Sequence, residues 1–470
     1  MTALARRTLQ NDVHSALNPS RHARILVPDS AAGVADCLEQ AHAAGARLAV
    51  CGARHAMGGQ QFADGGWLLD TARLAGVLGF DRERGLLRVG AGTRWPALRA
   101  FLRGQRDRDG NGWAIAQKQT GADDFSLGGA LASNIHGRGL DRPPFVADLE
   151  AFTLVLPCGR ACRVDRRREP GLFALAVGGY GLFGVVTELT LRLEPRRRLR
   201  RRVQLLRRAE LAAAFVQARA AGCRFGDFQF AIDPASEDFL DLGVFAVYEP
   251  TEAAESPAPR QLDAAAWRRL MLLAHTDRRR AFRNYSAFYL STDGQCYGSD
   301  DHQFGVYLDG YHAGVDACLG HAGSELITEL YVPLPLLEAL LAGLADDCRR
   351  HRVELVYGTV RLIREDSETR LPWARRDSAC VVLNLHVRHD PAGLRTAVAH
   401  LRRFIDHALA LGGSFYLSYH RHARADQLRR AYPGIDTVFA EKRRRDPDGL
   451  LASDWYLSLA RTLGHSEATA

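Results

Sequence analysis

A single histidine, His55, stands in the middle of a glycine-rich loop. Residues 47–60 read RLAVCGARHAMGGQ, an apolar run of strand character that feeds Gly52, Ala53, Arg54, His55, Ala56, Met57, Gly58 and, past Gly59, Gln60. Glycines here let the chain bend tightly and approach a ligand closely. Successive N–H groups in such a bend form a concave donor cluster suited to a pyrophosphate. A phosphate loop needs no imidazole, so His55 adds a nucleophilic ring nitrogen beside whatever is bound. Taken alone, the same residues also describe a glycine-rich turn with an exposed histidine.

Residues 117–139, QKQTGADDFSLGGALASNIHGRG, supply a second site. Thr120 and Gly121 predict a turn, and Ser126 a helix N-cap. Gly128, Gly129, Ala130, Ala132 and Ser133 give that helix a small face. Paired glycines near a helix start cost stability, which points to close approach by a large ligand. The helix end itself favours a phosphate, and Asn134, His136 and Gly137 follow. A third cluster, Gly179-Tyr180-Gly181-Leu182-Phe183-Gly184, fits GxGxxG. That fingerprint needs a helix after it. Here Val185 and Val186 open VVTELTLRLEP, whose period-two alternation predicts a strand. The Rossmann reading fails.

The elements that position these loops follow from periodicity. Asp29 or Ser30 caps a helix with Val34, Cys37, Leu38 and Ala41 on one face. Strands are expected near 48–51, 67–70, 86–89, 113–116, 149–156 and 185–193, and a helix at Trp95-Pro96. This is an α+β pattern. From about Val203, helices at 210–221, 336–350 and 393–411 alternate with strands at 228–232, 326–332, 353–360 and 379–386. Residues 251–260, TEAAESPAPR, read as an exposed insertion. The aromatic-rich stretch from Tyr285 to Tyr311 reads as packing or as a lid over a pocket.

A chain of 470 residues with 25% charged and 47% hydrophobic residues is an ordinary soluble enzyme of two or three domains. Its net charge of +8 is arginine, since Lys118 and Lys442 are the only lysines. The basic runs, Arg196–Arg202 among them, lack aromatic interleaving, which excludes a single-strand nucleic-acid binder and reads as solvated faces or a domain boundary. The nine cysteines are scattered without CxxC or zinc spacing, so no metal site is expected and a reducing, cytoplasmic setting fits. No apolar run is long enough to span a membrane. MTALARRTLQNDVHS reads as neither a secretory nor a twin-arginine signal.

The two loops, in this order, resemble the GxxHSxxGQ attachment loop and the TG…SLGG…N.HG segment of the vanillyl-alcohol oxidase / p-cresol methylhydroxylase (PCMH-type) flavoproteins. The style is closest to the sugar-alcohol and lactone oxidases and the decaprenylphosphoryl-ribose oxidase-like members. The third glycine cluster is similar to the family's GG.G.FGVVT…LRL turn. Lys442, Asp446-Pro447 and Leu450 are similar to its closing segment. The resemblance is strongest over residues 18–195. It implies an N-terminal arm (1–17) and a two-lobed FAD-binding domain (18–197). A cap or substrate-binding domain with an antiparallel sheet flanked by helices (198–438) and a returning C-terminal segment (439–470) complete the layout. It implies FAD, bonded to His55, with its pyrophosphate on backbone N–H groups of residues 52–58 and 120–129. Gly184, Val185, Val186 and Lys442 would also contact the cofactor. Ala56 replaces the family's serine, which removes a hydroxyl but not the nucleophile.

A flavin accepts hydride at N5, and an alcohol substrate also needs its hydroxyl proton controlled. The resemblance implies an alcohol, polyol, lactone or sugar-like small-molecule substrate, with oxygen or another acceptor. The family's Glu-x-Arg is Thr359-Val360-Arg361 here, so Arg361 remains without its acidic partner. The run Tyr419-His420-Arg421-His422 offers His420 as base. Glu329 and Tyr331 alternate toward the same pocket. Ile135 stands where a small residue admits oxygen in the family. Two other readings are a C=C reductase, for which no nicotinamide site is evident, and a non-catalytic flavin-binding partner protein.

Overall fold

The computed structural model describes residues 8–465 apart from 122, 306–307 and 309. The Arg6-Arg7 pair, part of the aromatic stretch and the last five residues therefore lie outside the described residues.

Ser30 accepts the N–H of Gly33 at 3.1 Å and opens α1 (Ala31–Ala43). The expected stripe of Val34, Cys37, Leu38 and Ala41 is buried. It forms one core with Leu26, Leu48 and Leu69 on one side and Val155 and Val185 on the other. The first three come from β1 (Arg24–Leu26), β2 (Leu48–Cys51) and β3 (Trp67–Asp70), a parallel sheet in the order β1-β3-β2. The other two belong to an antiparallel sheet of β4 (Val77–Asp81), β5 (Leu86–Gly90), β6 (Leu149–Val155), β7 (Ala161–Asp165) and β8 (Val185–Arg192), in the order β7-β6-β8-β5-β4. Helices α2 (Trp95–Arg103), α3 (Leu127–Ser133) and α4 (Pro170–Ala176) complete this unit. The segment after Gly184 is the strand that the alternation predicts, with Val185, Thr187, Leu189 and Leu191 buried.

The second unit is built on an eight-stranded antiparallel sheet. Its strands are β9 (Arg198–Arg207), β10 (Phe225–Phe230), β11 (Leu242–Pro250), β12 (Cys296–Gly298), β13 (Gly323–Val332), β14 (Leu355–Ile363), β15 (Ser378–Arg388) and β16 (Ser414–Phe415). They run in the order β12-β9-β11-β10-β14-β15-β13-β16. Side chains alternate across a strand. On β15, Val381, Leu383, Leu385 and Val387 make an apolar face, and amphipathic α9 (Leu337–His351) and α10 (Pro391–Ala410) supply the apolar stripes that cover it, with α5 (Arg208–Ala220). The opposite face carries Cys380, Val382, Asn384 and His386.

Two sequence expectations need correction. Much of the arginine run is not a solvated boundary but the strand β9. There Arg201 is buried, donating to the Tyr248 hydroxyl and, at 2.9 Å, to Thr292. Between β11 and β12 lie two helices that the sequence did not reveal, α6 (Ala264–Thr276) and α7 (Arg278–Leu290). Asp263 and Asp277 cap them, and Tyr285 and Tyr289 stack on α7 with centroids 4.3 Å apart. A short α8 (His312–Leu319) precedes β13, and α11 (Ala425–Ala431), α12 (Ile435–Arg445) and α13 (Asp454–Leu463) end the chain. Leu48 N–H donates to Leu450 O at 2.7 Å and Ala452 N–H to Leu48 O, so the closing segment pairs with β2. The N-terminal arm runs between the His55 loop and the cap. Val13 N–H donates to Arg54 O at 3.1 Å, and the Ser324 hydroxyl to Ser15 O at 2.5 Å.

Candidate active site

The His55 loop, α3 and the start of β8 enclose a cavity of about 1140 Å³, counting the part open to solvent. Gly52, Ala53, Arg54, His55, Ala56 and Gln60 line it on one side; Ser126, Gly128, Gly129, Ala130, Ala132, Ser133 and Ile135 on another; Gly184 and Val186 on a third. Tyr180, Phe183, Phe125, Tyr416 and Tyr419 add aromatic walls. Small residues along the floor and aromatic rings at the sides suit a long, flat, dinucleotide-sized ligand.

Gly52 sits where the two loops touch. An added Cβ would lie 2.1 Å from Ser126 Oγ, the atom that caps α3 by accepting the Gly129 N–H at 3.3 Å. That cap has a consequence for phosphate binding. Leu127 N–H donates to Thr93 O and Gly128 N–H to Ala91 O, so α3 spends its first donors within the protein. The helix end is therefore not the phosphate site that its sequence predicts. Met57 N–H goes to Ser418 O and Gly58 N–H to Gln60 Oε1, which removes two more. Among the described residues, none accepts from the N–H groups of Ala53, Arg54 or Ala56. Arg54 holds a φ of 61°, a left-handed conformation unusual for a residue with a side chain. The loop thus keeps the donors a pyrophosphate needs.

His55 borders the cavity with its ring edge-on to Phe125, centroids 4.3 Å apart. Its Nδ1 meets His14 Nε2 at 2.8 Å. Burial, and then His14, push its pKa down to about 2, against a smaller opposing pull from the Asp124 backbone. His14 itself is held at about 4, mainly by burial. Both rings are neutral at physiological pH, so His55 keeps a lone pair. His14 lies 41 residues away and carries no local motif, so sequence reading missed it.

Beyond the aromatic wall is the polar face of the cap sheet. Strand register sets Gln229, Thr359, Val382 and Glu329 in one row, and Arg361, Cys380 and Tyr331 in the next. Glu329 is fully buried. Its Oε2 meets His136 Nε2 at 2.8 Å and accepts from the Tyr331 hydroxyl at 2.6 Å; its Oε1 accepts from the Tyr419 hydroxyl at 3.0 Å. Burial pushes this carboxyl up, but His136, Arg361 and Tyr331 outweigh it and hold the pKa at about 2. Tyr419 in turn accepts from Gln119 at 3.1 Å, and both of these line the cavity. Arg361 is 5% exposed, yet its Nε and one Nη have no partner among the described residues. The same holds for Thr359 Oγ1, Gln229 Oε1, Asn384 Oδ1, Gln119 Oε1 and Thr120 Oγ1. Each such group costs about 1–3 kcal/mol unless a ligand satisfies it. Together they outline a polar ligand site.

Several residues singled out from sequence lie elsewhere. His420 is the clearest. It meets Thr328, which sits one position from Glu329 on β13 and so on the apolar, helix-covered face. Its Nε2 is 3.3 Å from Thr328 Oγ1, its Nδ1 accepts the His422 N–H, and burial lowers its pKa to about 3. Its neighbour Tyr419 reaches the site instead. Glu329 and Tyr331 brace that site from behind. Lys442 is buried against Asp446, which caps Leu450 and Leu451, and does not border the cavity. Met57, Gly58, Thr120, Gly121, Asn134, His136, Gly137 and Val185 do not border it either. Asn134 ties Asp366 to Val146 N–H, Val185 points into the core by strand alternation, and Gly137 packs on Lys118 O. Gly128 lines the cavity, and an added Cβ there would also meet Ala91 at 2.9 Å, so this glycine lets α3 pack on the turn after β5 as well.

Residues 22–165 match the family model described as FAD binding domain. L-galactono-1,4-lactone dehydrogenase 1, mitochondrial, of Oryza sativa subsp. japonica is 31% identical over 196 residues, 41% of this chain and 32% of that one. The corresponding enzyme of Arabidopsis thaliana is 30% identical over 132 residues, 28% of this chain and 20% of that one. A Rhodococcoides fascians protein, named as an uncharacterized oxidoreductase of the fasciation locus, is 31% identical over 171 residues, 36% and 37% of the two chains. The match spans about a third of the rice relative's length. Residues 22–165 are thus an FAD-binding domain, in keeping with the PCMH-type resemblance, and FAD is the cofactor such a domain takes. No helix among the described residues is long and apolar enough to cross a membrane.

Proposed function

We propose that the chain is a flavin-dependent oxidoreductase that removes hydride from a C–H bond of a hydroxyl-bearing small molecule: an alcohol, polyol, lactone or sugar-like compound. The observation that carries this reading is the buried Arg361, whose Nε and one Nη lack partners among the described residues, on the same sheet face as the unpaired oxygens of Thr359, Gln229 and Asn384. FAD supplies a two-electron acceptor when bound. The protein's part is binding and charge. Arg361 orients a substrate oxygen and offsets negative charge that develops on it. Thr359, Gln229 and Asn384 pair with further hydroxyls. Tyr419 and Gln119, fixed through Glu329, hold the boundary between substrate and cofactor. His55, kept neutral beside His14, is the residue proposed to carry the covalent flavin bond. The names of the rice and Arabidopsis relatives support a lactone or polyol.

The test is anaerobic. Purified protein is mixed with a panel of aldonolactones, polyols and sugars, and loss of the oxidised flavin absorbance is followed. Bleaching by at least one panel member is expected. Bleaching by NADH or NADPH alone would replace this reading with a C=C reductase. No bleaching by either group would leave a binding protein.

A further inference from the structure

Away from the flavin cavity, the polar face of the cap sheet carries a second cluster. Glu325 on β13 and His386 on β15 are direct cross-strand partners, and His275, in the last turn of α6, closes over them. Their side chains are 4%, 1% and 2% exposed. His275 Nε2 lies 2.9 Å from Glu325 Oε1, and His386 Nδ1 lies 3.7 Å from the same oxygen. His312 Nδ1, from the first residue of α8, is 3.2 Å from Oε2. His275, Glu325 and His386 can each bring one ligand atom within 4.8 Å of the other two.

The hydrogen bonds behind these rings fix which nitrogen faces the centre. His275 Nδ1 is 2.8 Å from Met271 O and donates to it, which leaves Nε2 to face Glu325 Oε1, where a cation would take the place of the Nε2 proton. His386 Nε2 is 2.9 Å from His321 Nε2, while its buried Nδ1 has no hydrogen-bond partner among the described residues. Two imidazole nitrogens and a carboxylate thus converge, each held from behind as metal-ligating histidines are. Gly323 makes room for this, since an added Cβ would lie 2.4 Å from the His386 ring.

We propose that His275, Glu325 and His386 bind a single divalent transition cation, zinc first. Zinc bonds of about 2.0–2.1 Å in a tetrahedron separate ligand atoms by about 3.3 Å. The 2.9 and 3.7 Å spacings from Glu325 Oε1 to the two imidazole nitrogens bracket that value. A rival group, His136, Glu329 and Cys380, is a poorer host. Tyrosine hydroxyls hold both oxygens of Glu329, Tyr331 on Oε2 and Tyr419 on Oε1, whereas at Glu325 the Tyr311 hydroxyl takes Oε2 and leaves Oε1 to the two imidazoles. Burial also drives the Cys380 thiol well above its usual range. The proposed ion would pin α6 to the sheet, about 13 Å along β13 from Glu329. Ser324, next to Glu325, holds the arm that brings His14 to His55. Linear spacing hides the site because its donors come from three separate elements.

The test uses tag-free, flavin-loaded protein dialysed against zinc sulfate. Metal content should reach one zinc per chain, and zinc should raise the melting temperature reversibly on EDTA treatment. His386→Gln and His275→Gln, checked by flavin content and circular dichroism, should lose both effects. Zinc-edge X-ray absorption of the wild type needs no variant and should show nitrogen and oxygen neighbours with imidazole outer shells and no sulfur. Sulfur in the first shell would move the ion to the Cys380 group and overturn the proposal. So would the absence of stoichiometric zinc, or unchanged zinc binding in both folded variants.

Discussion

Glu329→Gln preserves shape while removing the one buried carboxylate that His136, Tyr331 and Tyr419 share. The carboxyl falls from its usual 4.5 to about 2, so the folded state favours the ionised form. At 1.36 kcal/mol per pH unit, this is worth about 3 kcal/mol. Breaking a buried pair from one side costs about 3–5 kcal/mol, in agreement. Because the folded pKa is depressed, the stabilisation is whole above pH 4.5 and disappears as pH falls toward 2. The variant should therefore be about 3 kcal/mol less stable than wild type at pH 7, and the deficit should shrink markedly at pH 3. Urea unfolding followed by tryptophan fluorescence measures this directly, and Trp373, 5.0 Å from the His136 ring, reports on the site. A deficit below about 0.5 kcal/mol at pH 7, or one equal at both pH values, would refute the account of Glu329 as an ionised hub.

Gly52→Ala should push Ser126 off its cap, cost about 1 kcal/mol and reduce bound FAD; full FAD content in the variant would show that the two loops tolerate separation there. In wild type, acid precipitation should leave yellow colour in the pellet, whereas His55→Ala should release it. His14→Ala should bind FAD but retain a smaller acid-stable fraction, and an unchanged fraction would mean that the 2.8 Å contact with His55 plays no part in attachment. Ile135 borders the cavity, so Ile135→Gly should speed reoxidation of the reduced flavin by oxygen in stopped flow; fast oxygen turnover by wild type would dismiss Ile135 as a gate.

Legibility followed locality. The His55 loop, the Ser126 cap and the β8 strand were readable because their glycines, cap and alternation lie within short windows. Arg361 was reached only through the resemblance, at the place of the family's Glu-x-Arg. His420 misled because parity decides which side of a sheet a partner reaches. Thr328 and Glu329 are adjacent in sequence, yet they send His420 and Tyr419 to opposite faces. The pairs His14–His55 and His136–Glu329 join distant segments and leave no periodic trace. Helices α6 and α7 escaped notice because arginines and aromatics interrupt their apolar stripes, and tertiary packing with Asp263 and Asp277 caps holds them. The phosphate donors of α3 were overestimated, since no sequence shows that Thr93 and Ala91 carbonyls already take them.

The central claim is that the substrate lies on the cap-sheet face against Arg361, next to the flavin. Arg361→Met, mixed anaerobically with the panel compound that bleaches the wild type, tests it most directly. FAD content and spectrum should be unchanged. Loss of a charged hydrogen bond worth about 2–3 kcal/mol should slow flavin reduction, or raise the substrate concentration it requires, by roughly 30- to 150-fold. Reduction at the wild-type rate and concentration would place the substrate elsewhere and contradict the account.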